Sequence, residues 1–257
     1  MNEELLNSSD IKVHVPHIPA QMAEQVSKCC EELVLCHKDH ILSVNVIGSA
    51  LSPEFMLGQS DINLIVIYND LEFDYLQIIS SGLITRFKKF KINTRIISKR
   101  NLMSSAPYFP IDFWSMQQQH MLLYGEDVLL EPEITHKDLL WQLNHEAKGM
   151  RMRIKQQLWQ SSKNIGQARK TVLRYFNSVI LLSKVFMHLK NYPIPSSTPA
   201  LFDEINKLLF VDANSLETLN QIKQGNLKLT KGNMYNAYEI LFKIIKKIDD
   251  QAGSIKC

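Results

Sequence analysis

Two short polar segments have the residue types and the spacing that phosphate chemistry requires. Gly48 and Ser49 follow an apolar run; Asp61 comes after eleven intervening residues, with Asn63 two positions further on. Glycine has no side chain to block a phosphate group, and the serine hydroxyl is a donor for phosphate oxygens. Residues two apart in a strand point to one face of a sheet, so Asp61 and Asn63 share a face. On such a face, paired carboxylates can hold two Mg²⁺ ions over a triphosphate.

The elements that must position these residues are predicted in the first half of the chain. Short β-branched runs predict three strands, Ile41–Ile47, Ile62–Tyr68 and Lys91–Ser98. Helical spacing predicts helices over Pro19–Lys38 and Leu71–Leu83. This part of the chain therefore has the character of a sheet with flanking helices.

The second half is predicted to be helical. Gly125, after Tyr124, has the pattern of a left-handed residue that closes a helix. From residue 135 onward the apolar spacing predicts five helices: His136–Gln160, Asn164–Lys190, Ala200–Phe210, Ser215–Gln224 and Asn233–Asp250. The chain thus divides into an α/β domain over residues 1–130 and an all-α helical bundle over residues 131–257, an α+β fold class.

An ordered set of residues in the first domain resembles a known signature. Gly48, Ser49, Gly58, Ser60 and Asp61 occur in order, followed by a hydrophobic strand. This set resembles the nucleotidyltransferase superfamily typified by DNA polymerase β and the aminoglycoside nucleotidyltransferases. The helical second half also resembles the bundle of the antibiotic-modifying members. The resemblance implies a nucleotidyltransferase-like mixed sheet and a nucleoside triphosphate as ligand or substrate.

The resemblance also implies roles for single residues. Gly48, Ser49 and Ser60 would contact the phosphates of the nucleotide. Asp61 would be a catalytic and metal-binding carboxylate, and Asn63 stands where the second metal carboxylate is expected. The amide oxygen of Asn63 can coordinate a metal, but it contributes no negative charge.

A third carboxylate is expected from the resemblance on the following strand, and it is missing. The polar residues available there are Asn93, Thr94 and Arg95. With one carboxylate out of three, Mg²⁺ is expected to bind weakly, and no obvious base remains for the acceptor hydroxyl. Two of the three expected carboxylates are therefore not found in the sequence.

Two acids elsewhere are candidates for the missing group. Asp112 follows the third predicted strand, and Glu146 lies on the first long helix of the bundle. The resemblance assigns Glu146 a catalytic role, because a glutamate of the helical domain completes the site in some antibiotic-modifying relatives. The simpler interpretation of Glu146 is an ion pair with Lys148 or Arg151.

Three functions fit these residues. The leading interpretation is a nucleotide-binding or partner-binding protein with a degraded metal site and weak or no transferase activity, a pseudoenzyme. The first alternative is Mg²⁺-dependent transfer of a nucleoside monophosphate to a hydroxyl of a small molecule. The second alternative is a nucleic-acid or protein adaptor that uses the basic strand region, with nucleic acid the less favoured partner.

Charge is distributed unevenly along the chain. The 29 basic and 26 acidic residues nearly balance, yet residues 75–111 contain no acid. That stretch holds seven basic residues: Arg86, Lys88, Lys89, Lys91, Arg95, Lys99 and Arg100. One interpretation is a solvated sheet edge protected by lysines. The other is that Arg95 binds phosphate directly, where a working transferase has a carboxylate and its Mg²⁺.

The sequence predicts a cytoplasmic protein without membrane contact. The residues after Met1 lack the basic and apolar pattern of a secretory signal. The most apolar stretch, Val179–Met187, is interrupted by Lys184 and is shorter than a membrane-spanning helix. Three of the four cysteines are clustered in one predicted helix, which is not a disulfide framework.

Overall fold

A computed structural model describes residues 15–37, 39–53, 55, 60–70, 81–161 and 164–255. The chain forms two compact units, the first ending at Ile134 and the second beginning at Thr135. This boundary lies just beyond Leu130, the end of the predicted α/β domain. Each unit is described by itself below.

The first unit is a four-stranded mixed sheet with flanking helices. In the described ranges its elements are α1 (Ala20–His37), β1 (Ile41–Ile47), β2 (Ile62–Tyr68), α2 (Ser81–Lys89), β3 (Ile92–Ser98), α3 (Lys99–Ser105), α4 (Pro110–Gln118) and β4 (His120–Gly125). Short 3₁₀ turns cover Gly48–Leu51 and Val128–Leu130. The strand order is β3-β2-β1-β4. β1 pairs antiparallel with β2 and β4, whereas β2 and β3 are parallel, so the predicted mixed sheet is confirmed.

Both faces of the sheet are covered, which explains the nearly continuous apolar strands. On one face Leu64 and Val66 of β2 share a buried core with Val26 and Leu33 of α1. On the other face Ile65 belongs to a second core that contains residues of α3 and α4. Asp61 and Asn63 precede Ile65 at spacings of two, so they lie on this second face, where β2 begins.

The structure of this unit differs from several of the sequence-based predictions. The predicted helix Leu71–Leu83 lies mostly outside the described residues, and the observed α2 occupies Ser81–Lys89. β4 was not predicted. The interpretation of Gly125 as a helix end is wrong: it is left-handed, with φ of 80°, but it ends β4. A Cβ at Gly125 would collide with the backbone carbonyl oxygen of Leu42, so the close approach of two strands requires glycine.

The second unit is helical, as predicted. Its described helices are α5 (His136–Ser161), α6 (Ile165–Leu189), α7 (Thr198–Leu209), α8 (Ala213–Gln224) and α9 (Lys231–Ala252). The long helices contribute buried Leu139, Phe186 and Ile244, among others. Helix α6 is long and apolar enough to cross a membrane, and 56% of its apolar window is buried within the structure. Packing in a helical core therefore accounts for its composition.

Candidate functional site

The Gly48–Ser49 turn leaves the end of β1. Gly48 has φ of 74°, a left-handed conformation that glycine adopts without strain, and no atom of the described residues lies within 4 Å of a Cβ added there. Its backbone N–H donates to the Gln119 carbonyl oxygen at 3.0 Å. Ser49 is exposed, and its carbonyl accepts from the Ser52 N–H at 3.0 Å. The turn therefore leaves open space beside Gly48 and an exposed hydroxyl, two properties of a phosphate-binding turn.

Strand register places the polar residues of β2 and β3 side by side. Asn63 pairs with Ile47 of β1 on one side and with Asn93 of β3 on the other. Asp61 is exposed, and the Asn93 side-chain N–H donates to Asp61 Oδ2 at 3.1 Å. One carboxylate and two amides therefore gather where β2 begins.

The same register shows which of the three polar residues of β3 lie on the same sheet face as Asp61. Arg95 pairs with Ile65, so it lies on the same face as Asn93 and Asp61. Thr94 pairs with Leu64, whose side chain lies in the core on the opposite face. Asn93 and Arg95, but not Thr94, therefore belong to the candidate site.

The donor set does not fit two magnesium ions. Mg²⁺ sites of this kind use protein carboxylates together with substrate phosphates. Among the described residues gathered where β2 begins, Asp61 is the single carboxylate, and the Asn93 amide directs its N–H toward it. Within the described ranges, no group of three His, Cys, Asp or Glu side chains converges as a metal-ligand set.

Arg95 is a cation on the same sheet face as Asp61 and Asn93. Two other members of the basic stretch have acidic partners: Arg86 pairs with Glu32, and Lys99 Nζ lies 2.7 Å from Glu131 Oε1. Arg95 is exposed and forms no ion pair with an acid in the part of the chain that the structure describes. Its guanidinium is therefore available to an anion from solution.

Ser60 and Gly58 are the other predicted signature residues close to Asp61 in the sequence. Ser60 precedes Asp61 and is half-buried. Its role on the phosphates stays a prediction. Gly58 lies outside the described residues.

Glu146 belongs to the second unit. Its carboxylate lies 3.5 Å from Arg153 Nη2 and 3.9 Å from His145 Nδ1. The expected pairing with Lys148 or Arg151 is wrong, because both of those cations contact Asp249 of α9 instead. Its catalytic role stays a prediction.

A His–Asp pair beside the turn was missed by the sequence-based predictions. His120 pairs in register with Ile47, the residue before Gly48. The His120 Nε2 atom lies 3.0 Å from Asp127 Oδ2, and its Nδ1 atom lies 3.0 Å from the Gln117 carbonyl oxygen. The two residues are only seven positions apart, but the place of this pair beside the turn depends on β4 pairing with β1.

The first unit thus combines a mixed sheet of order β3-β2-β1-β4, a turn after β1 and polar residues where β2 begins. No protein-family model and no curated protein matches the sequence. Among solved structures, the chain is similar to spectinomycin adenyltransferase AAD(9) from Enterococcus faecialis with ATP and spectinomycin, with a TM-score of 0.56. The match covers 87% of this chain and 98% of that chain at 13% sequence identity. The predicted aminoglycoside nucleotidyltransferase-like fold is therefore confirmed.

Proposed function

We propose that this protein binds a nucleotide on its nucleotidyltransferase-like sheet and has weak or no transferase activity. The observation that carries the proposal is the hydrogen bond from Asn93 to Asp61, beside a second amide, Asn63. In this arrangement a protein donor occupies one oxygen of the Asp61 carboxylate. Two ions with four positive charges would need more negative charge than Asp61 provides.

The phosphates of the nucleotide would then be held by protein groups. The open space beside Gly48 admits a phosphate oxygen close to the backbone, and the Ser49 hydroxyl can donate to it. Arg95 lies on the same sheet face as Asp61 and supplies a planar cation that binds phosphate oxygens in pairs. Arg95 thus provides positive charge that Mg²⁺ provides in a working transferase.

A second function is supported by residues that the chain retains. Gly48, Ser49 and Asp61 keep the spacing of the transferase signature, and the similar solved structure is an adenyltransferase with ATP and spectinomycin. In this alternative the protein transfers a nucleoside monophosphate to a hydroxyl of a small molecule. Asp61 would then be the carboxylate that holds a metal ion, and Glu146 is the candidate for the missing base.

Calorimetric titration of the purified protein with ATP, GTP, CTP and UTP tests both functions. Each titration is run with Mg²⁺ and with a chelator, and pyrophosphate release is measured in parallel with small-molecule hydroxyl acceptors. We expect binding that does not require Mg²⁺ and no turnover. Robust Mg²⁺-dependent release of pyrophosphate would establish the transferase instead.

The same experiment addresses the adaptor alternative. A protein that binds no nucleotide under either condition would favour an adaptor role for the basic stretch. Binding to RNA that weakens steeply with salt would then identify nucleic acid as its partner. Salt-insensitive capture of a protein would identify a protein partner.

We also propose a cytoplasmic location, without membrane contact. Cys29, Cys30 and Cys36 of α1 are free thiols. Burial raises the pKa of the Cys29 and Cys30 thiols, so both stay protonated and unreactive at neutral pH. Fractionation of cells that express the tagged protein would locate it, and recovery in the membrane or secreted fraction would contradict the proposal.

A further inference from the structure

We propose that His120 and Asp127 are positioning residues that hold the Gly48–Ser49 turn in its open conformation. The part of this inference that concerns ligand binding rests on the proposed function, since it assumes that the turn receives phosphate. The geometric part does not, because it concerns only how the turn is supported.

Both ring nitrogens of His120 are already occupied. Nε2 faces the Asp127 carboxylate, and Nδ1 faces the Gln117 carbonyl oxygen, each at 3.0 Å. The His120 side chain is only 11% exposed. Neither nitrogen is free to contact a ligand, so His120 acts through its neighbours and not on a substrate.

The groups on either side of His120 are themselves anchored. The Gln117 side-chain Nε2 donates to the carbonyl oxygens of Leu129 and Pro132 at 3.1 and 2.9 Å. Asp127 follows β4 in the chain and directly precedes the Val128–Leu130 turn. The imidazole therefore connects the end of α4 to the segment that follows β4, and it fixes where β4 begins.

Gln119 connects His120 to the Gly48–Ser49 turn. Its carbonyl oxygen accepts the Gly48 N–H at 3.0 Å, and the next residue, His120, pairs with Ile47. The backbone of Gln119 is neither helical nor extended, with φ of −141° and ψ of 76°. Gln119 lies between the end of α4, whose Ser115 and Met116 carbonyl oxygens accept its N–H, and the first residue of β4. The direction of the Gln119 carbonyl therefore depends on how this junction is held, and the His120 ring contacts both sides of it.

The test uses three variants and an ion-pair control in the same unit. Asp127→Ala removes the acceptor for Nε2, Asp127→Asn keeps an acceptor oxygen without the charge, and His120→Phe removes both ring contacts. Glu131→Gln is the matched control, because it breaks the exposed pair with Lys99 and not the pair beside the turn. Equilibrium unfolding of each variant establishes that it is folded under the conditions of the measurement.

Hydrogen exchange of the Gly48 amide is the first measurement. We expect exchange at least tenfold faster in Asp127→Ala and His120→Phe, a partial return of protection in Asp127→Asn, and no change in Glu131→Gln. If His120→Phe does not fold, Asp127→Ala still tests the inference, because the Asp127 side chain is one-third exposed and we expect that variant to fold. Gly48 exchange within twofold of the parent protein in Asp127→Ala would overturn the inference.

ATP affinity, measured without Mg²⁺, is the second measurement. We expect Asp127→Ala to weaken it about tenfold, the effect of one lost hydrogen bond, and Glu131→Gln to leave it unchanged. If the parent protein binds no nucleotide, the proposed function fails, while the Gly48 amide still reports whether the pair positions the turn. ATP affinity equal in the parent and Asp127→Ala proteins would show that the pair has no role in binding.

Discussion

The Asn93 side chain donates a hydrogen bond to the Asp61 carboxylate, 3.1 Å away, across two parallel strands. The register brings Asn93 next to Asn63, and the Asn93 amide reaches the Asp61 carboxylate on the same face. A carboxylate at position 93 would repel Asp61 unless a cation lay between them. The amide removes that requirement, because it donates to Asp61 where a second carboxylate would repel it.

Restoring carboxylates should therefore create a magnesium site. The double variant Asn63→Asp and Asn93→Asp places three acids together, and we expect Mg²⁺ affinity to rise at least tenfold, about 1.4 kcal/mol. Calorimetric titration with MgCl₂ measures the change. Asn101→Asp on α3 adds one exposed charge away from these residues, so it should leave Mg²⁺ binding as in the parent protein. Equal affinities in the double variant and this control would contradict the interpretation of the site.

Arg95→Gln should weaken nucleotide binding in the absence of Mg²⁺. A charge-assisted hydrogen bond contributes about 1.5–3 kcal/mol, so we expect a loss of roughly tenfold to 100-fold in ATP affinity. Arg100→Gln is the matched control, since it removes an exposed arginine of the same basic stretch. Similar small losses for both variants would indicate that the stretch attracts nucleotides only through its overall charge.

Gly48→Ala should lower both the unfolding free energy and the ATP affinity, and a second glycine serves to tell the two effects apart. Gly48 and Gly225 are both left-handed, with φ of 74° and 84°, and within the described ranges neither has an atom within 4 Å of an added Cβ. Each alanine variant should therefore lose about 1 kcal/mol of unfolding free energy, the cost of backbone strain alone. Only Gly48→Ala should also weaken ATP binding, because its methyl group fills the space for phosphate. Urea unfolding and calorimetry measure the two effects, and unchanged ATP affinity in Gly48→Ala would remove the turn from the site.

Asp249→Asn should destabilise the helical unit at neutral pH. Asp249 accepts hydrogen bonds from Lys148 Nζ at 2.7 Å and from Arg151, and its side chain is 7% exposed. We expect a loss of about 2 kcal/mol of unfolding free energy in urea. The adjacent Asp250→Asn is the control: Asp250 is exposed, and its contact with Arg151 is 3.3 Å, so the loss should stay below about 0.5 kcal/mol.

The effect of Asp249→Asn should also depend on pH. Burial alone would raise the pKa of Asp249, but the hydrogen bonds from Lys148 and Arg151 outweigh burial and hold the pKa below its usual value. A lowered folded-state pKa stabilises the protein fully above the unfolded-state pKa of about 4, and the contribution is lost as pH falls through the folded value. The difference between parent and variant should therefore shrink in urea titrations below pH 4. A constant difference across that range would exclude ionisation of Asp249 as its cause.

The strands of the candidate site could be predicted from sequence because their signal is local. β1 and β2 have the predicted bounds, since β-branched runs end at Gly48 and begin after Asp61. β4 could not be predicted in the same way. Its six residues, from His120 to Gly125, do not alternate, and the left-handed Gly125 fits a helix end as well as a strand end. The contact that requires glycine at position 125 is with the Leu42 carbonyl oxygen, which is distant in the sequence.

The site itself was predicted only in part for a related reason. The spacing of Asp61 and Asn63 fixes their shared face, but it does not say which residue of β3 lies beside them. Three adjacent polar residues were candidates, and a shift of one residue in register would exchange Thr94 for its neighbours. The parallel pairing of β2 with β3 selects Asn93 and Arg95.

The strand order also determines when the Gly48 turn can be completed. Ile47 pairs with Asn63, 16 residues later, and with His120, 73 residues later. Closing the longer loop costs about 1 kcal/mol more in chain entropy, so we expect β4 to join the sheet after β1 and β2 have met. Pulse-labelled hydrogen exchange during refolding would then find the Gly48 amide protected later than the amides of β1 that bond to β2. During synthesis the ribosome delivers His120 long after Ser49, and until then the turn has no Gln119 carbonyl to hold it.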